Sequence, residues 1–263
     1  MRQPLSFECE GDVLAATLDE APGNSGLLIV SGGNEIRIGA HRGMAVLAAE
    51  ISAIGHPVLR FDRRGIGDSM GKNREFAASG PDIVAAISAF MAACPHLKRI
   101  VAFGNCDAAS ALVLHPLDRL DGLVLANPWV IERPDELPAP AAIRARYAQR
   151  IRDPKAWVGL LTGGTSLKKL AGGLLRIATP KPPSSLASSV AQGIAAFPGP
   201  VTILLATRDG TAIAFAEEWE KSGFAAARAK PNLSVVRLDS ASHSFASADD
   251  KATLRSALLR ALA

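Results

Sequence analysis

The 263 residues predict an α/β fold: a mostly parallel sheet covered by helices on both faces. Three observations carry that prediction. Several short runs are apolar throughout rather than alternating, as strands buried on both faces require. Each run leads through a turn into a helical pattern, the repeated β-α grammar of a parallel sheet. The length suits one large domain with an insertion, and 48% hydrophobic against 21% charged residues supplies an ordinary, well-filled core.

The elements follow in order. "SGLLIVSGG" (Ser25–Gly33) reads as a strand and turn, and "HRGMAVLAAEISAIG" as the helix after it. "HPVLRFD" (His56–Asp62) is the next strand, followed by a Gly-rich turn and the helical "DIVAAISAFMAAC". "RIVAFG" (Arg99–Gly104) leads into "DAASALVLHPL", and "LDGLVLANP" (Leu120–Pro128) is a strand that ends at a proline. There the grammar breaks. Pro134, Pro138 and Pro140 precede a basic helical pattern, then come Gly- and Ser-rich pieces, with no strand signal until "PVTILLA" (Pro200–Ala206). The pattern resumes with the helical "TAIAFAEEWEKSG", the strand "LSVVRLD" and the helix "DDKATLRSALLRALA". The expected organisation is a core of residues 1–127 and 199–263, interrupted by a mostly helical insertion over 128–198.

A net charge of +4 is too mild to imply nucleic-acid binding. Its distribution is uneven: between Pro128 and Phe197 ten basic residues face four acidic ones. That excess describes either a solvated helical surface or a positive face for an anionic ligand, with peripheral membrane contact as a further use. No apolar run approaches the roughly 20 residues of a membrane span, and the first residues lack a signal-type apolar segment, so a cytoplasmic location is expected. Cys9, Cys94 and Cys106 are too few and too scattered for a disulfide framework or a zinc site. No metal-ligand cluster and no dinucleotide fingerprint stands out, so no metal and no cofactor are expected.

In open parallel sheets, ligands bind beyond the carboxyl ends of the strands. Cys106 stands there in "GNCDAA", where a sharp strand-to-helix turn lifts one side chain clear and aims the first amides of the next helix at the same point. Asp209, in "ATRDGTA", and His243, in "DSASHSFAS", follow later strands. The order nucleophile, acid, histidine is that of one group of serine and cysteine hydrolases and differs from the chymotrypsin and subtilisin orders. A cysteine suits the role, because an imidazole and a helix N-terminus can lower a thiol pKa from about 8.5 toward neutrality. Asp209 would orient His243. The oxyanion donors would be the amide of Asp107 and that of Gly33 or Asn34. The Asp107 carboxylate, which would oppose a developing oxyanion, is expected to turn away toward its own helix. Arg37, His41 and Arg42, in "NEIRIGAHRG", either shape the adjoining loop or contact substrate. Cys9 and Cys94 read as structural.

With these residues in place, "FDRRGIGDSMG" (Phe61–Gly71) resembles the D-x-R-G-x-G-x-S-x-G turn of the α/β-hydrolase superfamily. More narrowly, "GGNEIRIGAHR", "GNCDAASAL", "GLVLANPWV" and "GPVTILLATRDGTAIAF" resemble the exosortase A-associated hydrolase 1 family, found with bacterial exopolysaccharide and protein-sorting systems. The resemblance implies a cysteine nucleophile as a shared trait and makes the inserted segment a helical cap. Dienelactone hydrolases, which share a Cys-His-Asp triad, have glycine where this chain has Ala108. The expectation is a hydrolase or acyl transferase acting on an ester or thioester, with a small, anionic acyl substrate suited to the basic cap. The alternative is a degenerate hydrolase fold that binds a ligand or partner, which the unusual Cys106-Asp107-Ala108 sequence would also tolerate.

Overall fold

The computed structural model describes residues 1–132 and 185–263. Its framework is one eight-stranded sheet in the order β1-β2-β4-β3-β5-β6-β7-β8. The strands are β1 (Arg2–Cys9), β2 (Asp12–Asp19), β3 (Ser25–Val30), β4 (Val58–Phe61), β5 (Arg99–Asn105), β6 (Gly122–Ala126), β7 (Val201–Ala206) and β8 (Leu233–Leu238). β1 and β2 are antiparallel to each other, and β2 is antiparallel to β4. From β4 to β8 every pairing is parallel.

The all-apolar strands sort their side chains by parity, as a pleat demands. Leu28, Ala102, Leu125 and Ile203 point to one core, and Leu27, Phe103, Val124 and Leu204 to the other. The second core is closed by α1 (Gly43–Ala53), through Leu47 and Ile51, and by the last helix, α7 (Ala248–Leu262), through Leu254 and Leu258. The first is closed by α2 (Gly80–Ala93), α3 (Asp107–Leu114), α4 (Ser185–Ala196) and α5 (Gly210–Trp219), with the short α6 (Ala225–Arg228) beside them. At about 25 cal/mol per Å² of apolar surface removed from water, burial on both faces of the sheet is what holds the layers together.

The hairpin β1–β2 was not assigned from the sequence. β1 alternates exposed and half-buried residues, so it has no continuous apolar run. Its turn is Glu10-Gly11, with φ 50° and 88°, the left-handed pair that two-residue hairpins favour.

The expected insertion falls mostly on residues 133–184, which lie outside the described ones. Its two ends belong to the main body. Val130 packs in the first core, and so do Ala187, Val190, Ala191 and Ile194 of α4. Gly193 lets α4 approach α3: a Cβ there would sit 1.9 Å from the Val113 carbonyl oxygen. The outgoing and returning chains are tied together, since Glu132 Oε1 accepts from Ser185 N at 2.6 Å and from Leu186 N at 3.2 Å. The carboxylate thereby satisfies amides at the start of α4 that have no partner within the helix.

Candidate active site

β5 ends at Asn105 and α3 begins at Asp107, so Cys106 alone makes the turn between them. It does so at φ 63° and ψ −127°, a conformation that costs a residue with a Cβ on the order of 1–3 kcal/mol. The surroundings hold it there. Cys106 N donates to Ala126 O at 2.9 Å, and Cys106 O accepts from Trp129 N and Ala109 N, each at 3.2 Å. Gly104 is required by the tight return of α3, because a Cβ would stand 2.7 Å from Ala109 N. Ala108, in the place of a second glycine, is fully buried against the sheet. The Cys106 side chain is half-buried and lies near enough to the His243 imidazole to influence its protonation.

The other ring nitrogen of His243, Nδ1, lies 3.1 Å from Asp209 Oδ2. The carboxylate accepts, so Nδ1 carries the proton. Asp209 is also the N-cap of α5, and the same Oδ2 accepts from Thr211 N and Ala212 N at 3.1 Å. Those two amides fix the carboxylate before the imidazole arrives. The Asp209 hydrogen bond first, and the nearby Cys106 next, push the His243 pKa up to about 10 against the opposing effect of burial. The three residues expected from sequence therefore meet at one place.

Two residues that sequence reading missed hold the histidine loop. Asn105 Nδ2 donates to His243 O at 3.0 Å, and Asn127 Nδ2 approaches the same oxygen at 3.4 Å and Asn105 Oδ1 at 3.3 Å. Asn127 Oδ1 accepts from Ala206 N at 2.9 Å, at the end of β7 just before the Asp209 turn. Asn127 is fully buried and has φ 42°. One carboxamide thus joins the ends of β5, β6 and β7 to the loop after β8. The signal lies in their position: Asn105 ends β5 and Asn127 follows β6, at the carboxyl ends of strands where sites form, and asparagine tolerates positive φ better than most residues.

The expectation for Asp107 requires correction. Its carboxylate does not turn to its own helix but reaches across to the loop after β3, where Oδ1 accepts from Gly33 N at 2.6 Å. A charge-assisted bond to an amide in reach outweighs the diffuse attraction of the helix end. Gly33 N–H, one of the two expected oxyanion donors, is therefore engaged. The Asp107 and Asn34 amides make no hydrogen bond among the described residues.

Arg37 is likewise a loop-shaping residue. Its amide donates to Asp62 Oδ1 at 2.5 Å, its guanidinium pairs with Asp62 and, at 2.9 Å, with Asp68, and its Nε reaches Thr17 Oγ1. His41 and Arg42 differ: both are exposed, and both sit at positive φ, 50° and 59°. Their neighbour Ala40 lines a small pocket with Ser31, Glu35, Asn105 and Ser244, so this loop borders the residues next to Cys106 and His243. Among the described residues no group of three or more His, Cys, Asp or Glu is placed to hold a metal ion, and no helix is long and apolar enough to cross a membrane.

No family model matches the chain, and neither does any curated protein. Solved structures do. An esterase from Pyrococcus furiosus superposes with a TM-score of 0.67 at 16% identity, over 100% of this chain and 94% of that one. An α/β hydrolase from a Penicillium species gives 0.64 at 14%, over 100% and 99%. A proline iminopeptidase-related protein from Thermus thermophilus gives 0.61 at 17%, over 100% and 99%. At such identities the likeness is one of fold, and the fold of this chain is that of the α/β hydrolases.

Proposed function

We propose that this protein is a hydrolase or acyl transferase that uses Cys106 as nucleophile on an ester or thioester. The carrying observation is the chain of contacts from the strained Cys106 through His243 to Asp209. The Cys106 sulfur attacks the acyl carbon, forming an S–C bond, while His243 holds the thiol proton. The carbonyl electrons return as the bond to the leaving alkoxide or thiolate breaks, and His243 delivers the proton to that group. Water or another acceptor, deprotonated by His243, then attacks the acyl-cysteine and releases the product, and the thiol is restored. The amides of Asp107 and Asn34 stabilise the oxyanion in both halves. His41 and Arg42, both exposed, would meet an anionic part of the substrate. The resemblance to the exosortase-associated family makes a carrier-linked or glycolipid acyl group in export the fitting context for this chemistry.

The test is the pH dependence of Cys106 alkylation by iodoacetamide, in the wild type and in His243→Ala. Labelling that persists well below pH 8 and is lost without His243 supports the reading. A thiol indifferent to His243 sinks it. The carboxylate on Gly33 N–H favours a second reading, a hydrolase fold that has become a binding protein, and that second outcome would point to it.

A further inference from the structure

Beside Cys106 stands a buried cation that the proposed chemistry does not use. The Arg63 side chain is 5% exposed, and its NH2 donates to the Gly33 carbonyl oxygen and lies 3.9 Å from Asp107 Oδ2. The Gly33 residue is thereby gripped on both sides: its N–H by Asp107, its C=O by Arg63. Gly32 makes room for the grip, since a Cβ there would stand 2.9 Å from Asp107 Oδ1 and 2.5 Å from Asn105 O. In a trans peptide the carbonyl of one residue and the N–H of the next point in opposite directions. With the Gly33 carbonyl drawn to the buried guanidinium, the Asn34 N–H is turned away from it.

Resting on the proposed function, we infer that Asp107 and Arg63 are positioning residues that lock the loop after β3 and so fix Asn34 N–H as the second oxyanion donor. The carboxylate that looked misplaced beside a developing anion is consumed by the lock. Its charge is divided between Gly33 N–H and the Arg63 guanidinium, while the Asp107 amide remains a donor in its own right. A donor fixed in advance needs no reorganisation when the oxyanion forms, and removal of one such donor typically costs about 10²–10³ in rate. A lock acting through the donor is expected to cost somewhat less, about 10- to 100-fold.

The experiment compares two reactions of Cys106. Acetylation by p-nitrophenyl acetate passes through an oxyanion and expels p-nitrophenolate; alkylation by iodoacetamide displaces iodide and forms none. In Asp107→Ala the acetylation burst slows about 10- to 100-fold, whereas alkylation stays within about threefold of wild type. Asp107→Asn keeps an oxygen acceptor for Gly33 N–H and recovers most of the loss. Arg63→Met follows Asp107→Ala if it folds. An Asp107→Ala protein that acetylates as fast as wild type, or faster, overturns the lock and makes the carboxylate a plug instead. Failure of the parent reading looks different, as alkylation independent of His243 with no burst at all. In that event the lock is read from amide exchange of Gly33, which should rise at least tenfold in Asp107→Ala and stay low in Asp107→Asn. Unchanged exchange overturns it.

Discussion

Two places among the described residues bring a cysteine, a carboxylate and a nitrogen base or cation together. At the hairpin, Cys9 Sγ donates to Asp82 Oδ1 at 3.6 Å, and Asp82 is paired at 2.6 Å with Arg64. At the elbow, the order is Cys106, His243, Asp209. The composition is alike and the sequence of contacts is not. Cys9 is buried and faces the carboxylate directly, so burial first and Asp82 next push its thiol up to about 11. Cys106 is half-buried and faces the imidazole, with the carboxylate behind it. An inert thiol and a candidate nucleophile thus differ by which group stands beside the sulfur: a carboxylate that disfavours the thiolate, or an imidazole that can hold a proton.

The sharpest way to break this comparison is selective labelling. Iodoacetamide at pH 7 should modify Cys106 and spare Cys9 and Cys94 in the folded protein, read by peptide mass spectrometry. Cys106→Ala should take both labelling and ester turnover to background. Label on Cys9 at a similar rate would end the distinction.

The next largest effect lies on the inert side. Asp82→Ala leaves the buried Arg64 with the half-exposed Glu10 as its one carboxylate partner among the described residues. Breaking a buried pair in this way costs about 3–5 kcal/mol, measured by urea unfolding. Asn127→Ala strips the Ala206 amide of its acceptor and loosens the histidine loop. A cost of about 1–3 kcal/mol is expected, with slower Cys106 labelling in the folded fraction. Equal labelling rates would show that the carbonyl grip does not set the position of His243.

The pH profile comes next in size. The His243 pKa is raised, so the proton it supplies to a leaving group is present at neutral pH and lost as pH rises through about 10. Turnover should decline there, and Asp209→Asn should move the decline to lower pH by removing the largest cause of the shift. The same sign governs stability: what the charged imidazole contributes is present below its ordinary value of 6.5 and disappears toward pH 10. The smallest effect belongs to Arg42→Ala. The Arg42 side chain is exposed and makes no hydrogen bond or ion pair among the described residues, so the substitution should change stability by no more than about 0.5 kcal/mol. Its expected signature is a raised KM for an anionic ester alone.

What was legible in the sequence follows from period and place. Strands β3 to β7 announced themselves because both faces are buried, and Cys106 and Asp209 because each follows such a strand; His243 follows the partly exposed edge strand β8, which was legible from its apolar run alone. β1 was silent because it lies at the sheet edge, where burial alternates. The direction of the Asp107 side chain was misjudged, since local helix electrostatics were weighed without the loop after β3, which is 74 residues away in sequence. Arg37 left two readings open for the same reason: its partner Asp62 lies across a strand pairing and not on its own loop. Long-range hydrogen bonds decide side-chain orientation, and no window of neighbouring residues contains them.

The knot at Glu132 has a practical corollary. Chain leaving β6 and chain returning through α4 are fastened to each other at Ser185 and anchored in the core on both sides of that tie. The tie and the core packing on each side of it form a short stem at the base of the intervening segment. Loop-closure entropy grows only logarithmically, by about 0.6 kcal/mol for each doubling of length. Residues 133–184 can therefore be treated as an exchangeable cassette, cut between Glu132 and Ser185 and replaced by shorter or foreign sequence. The eight-stranded sheet and the contact of His243 with Asp209 lie wholly outside that cassette.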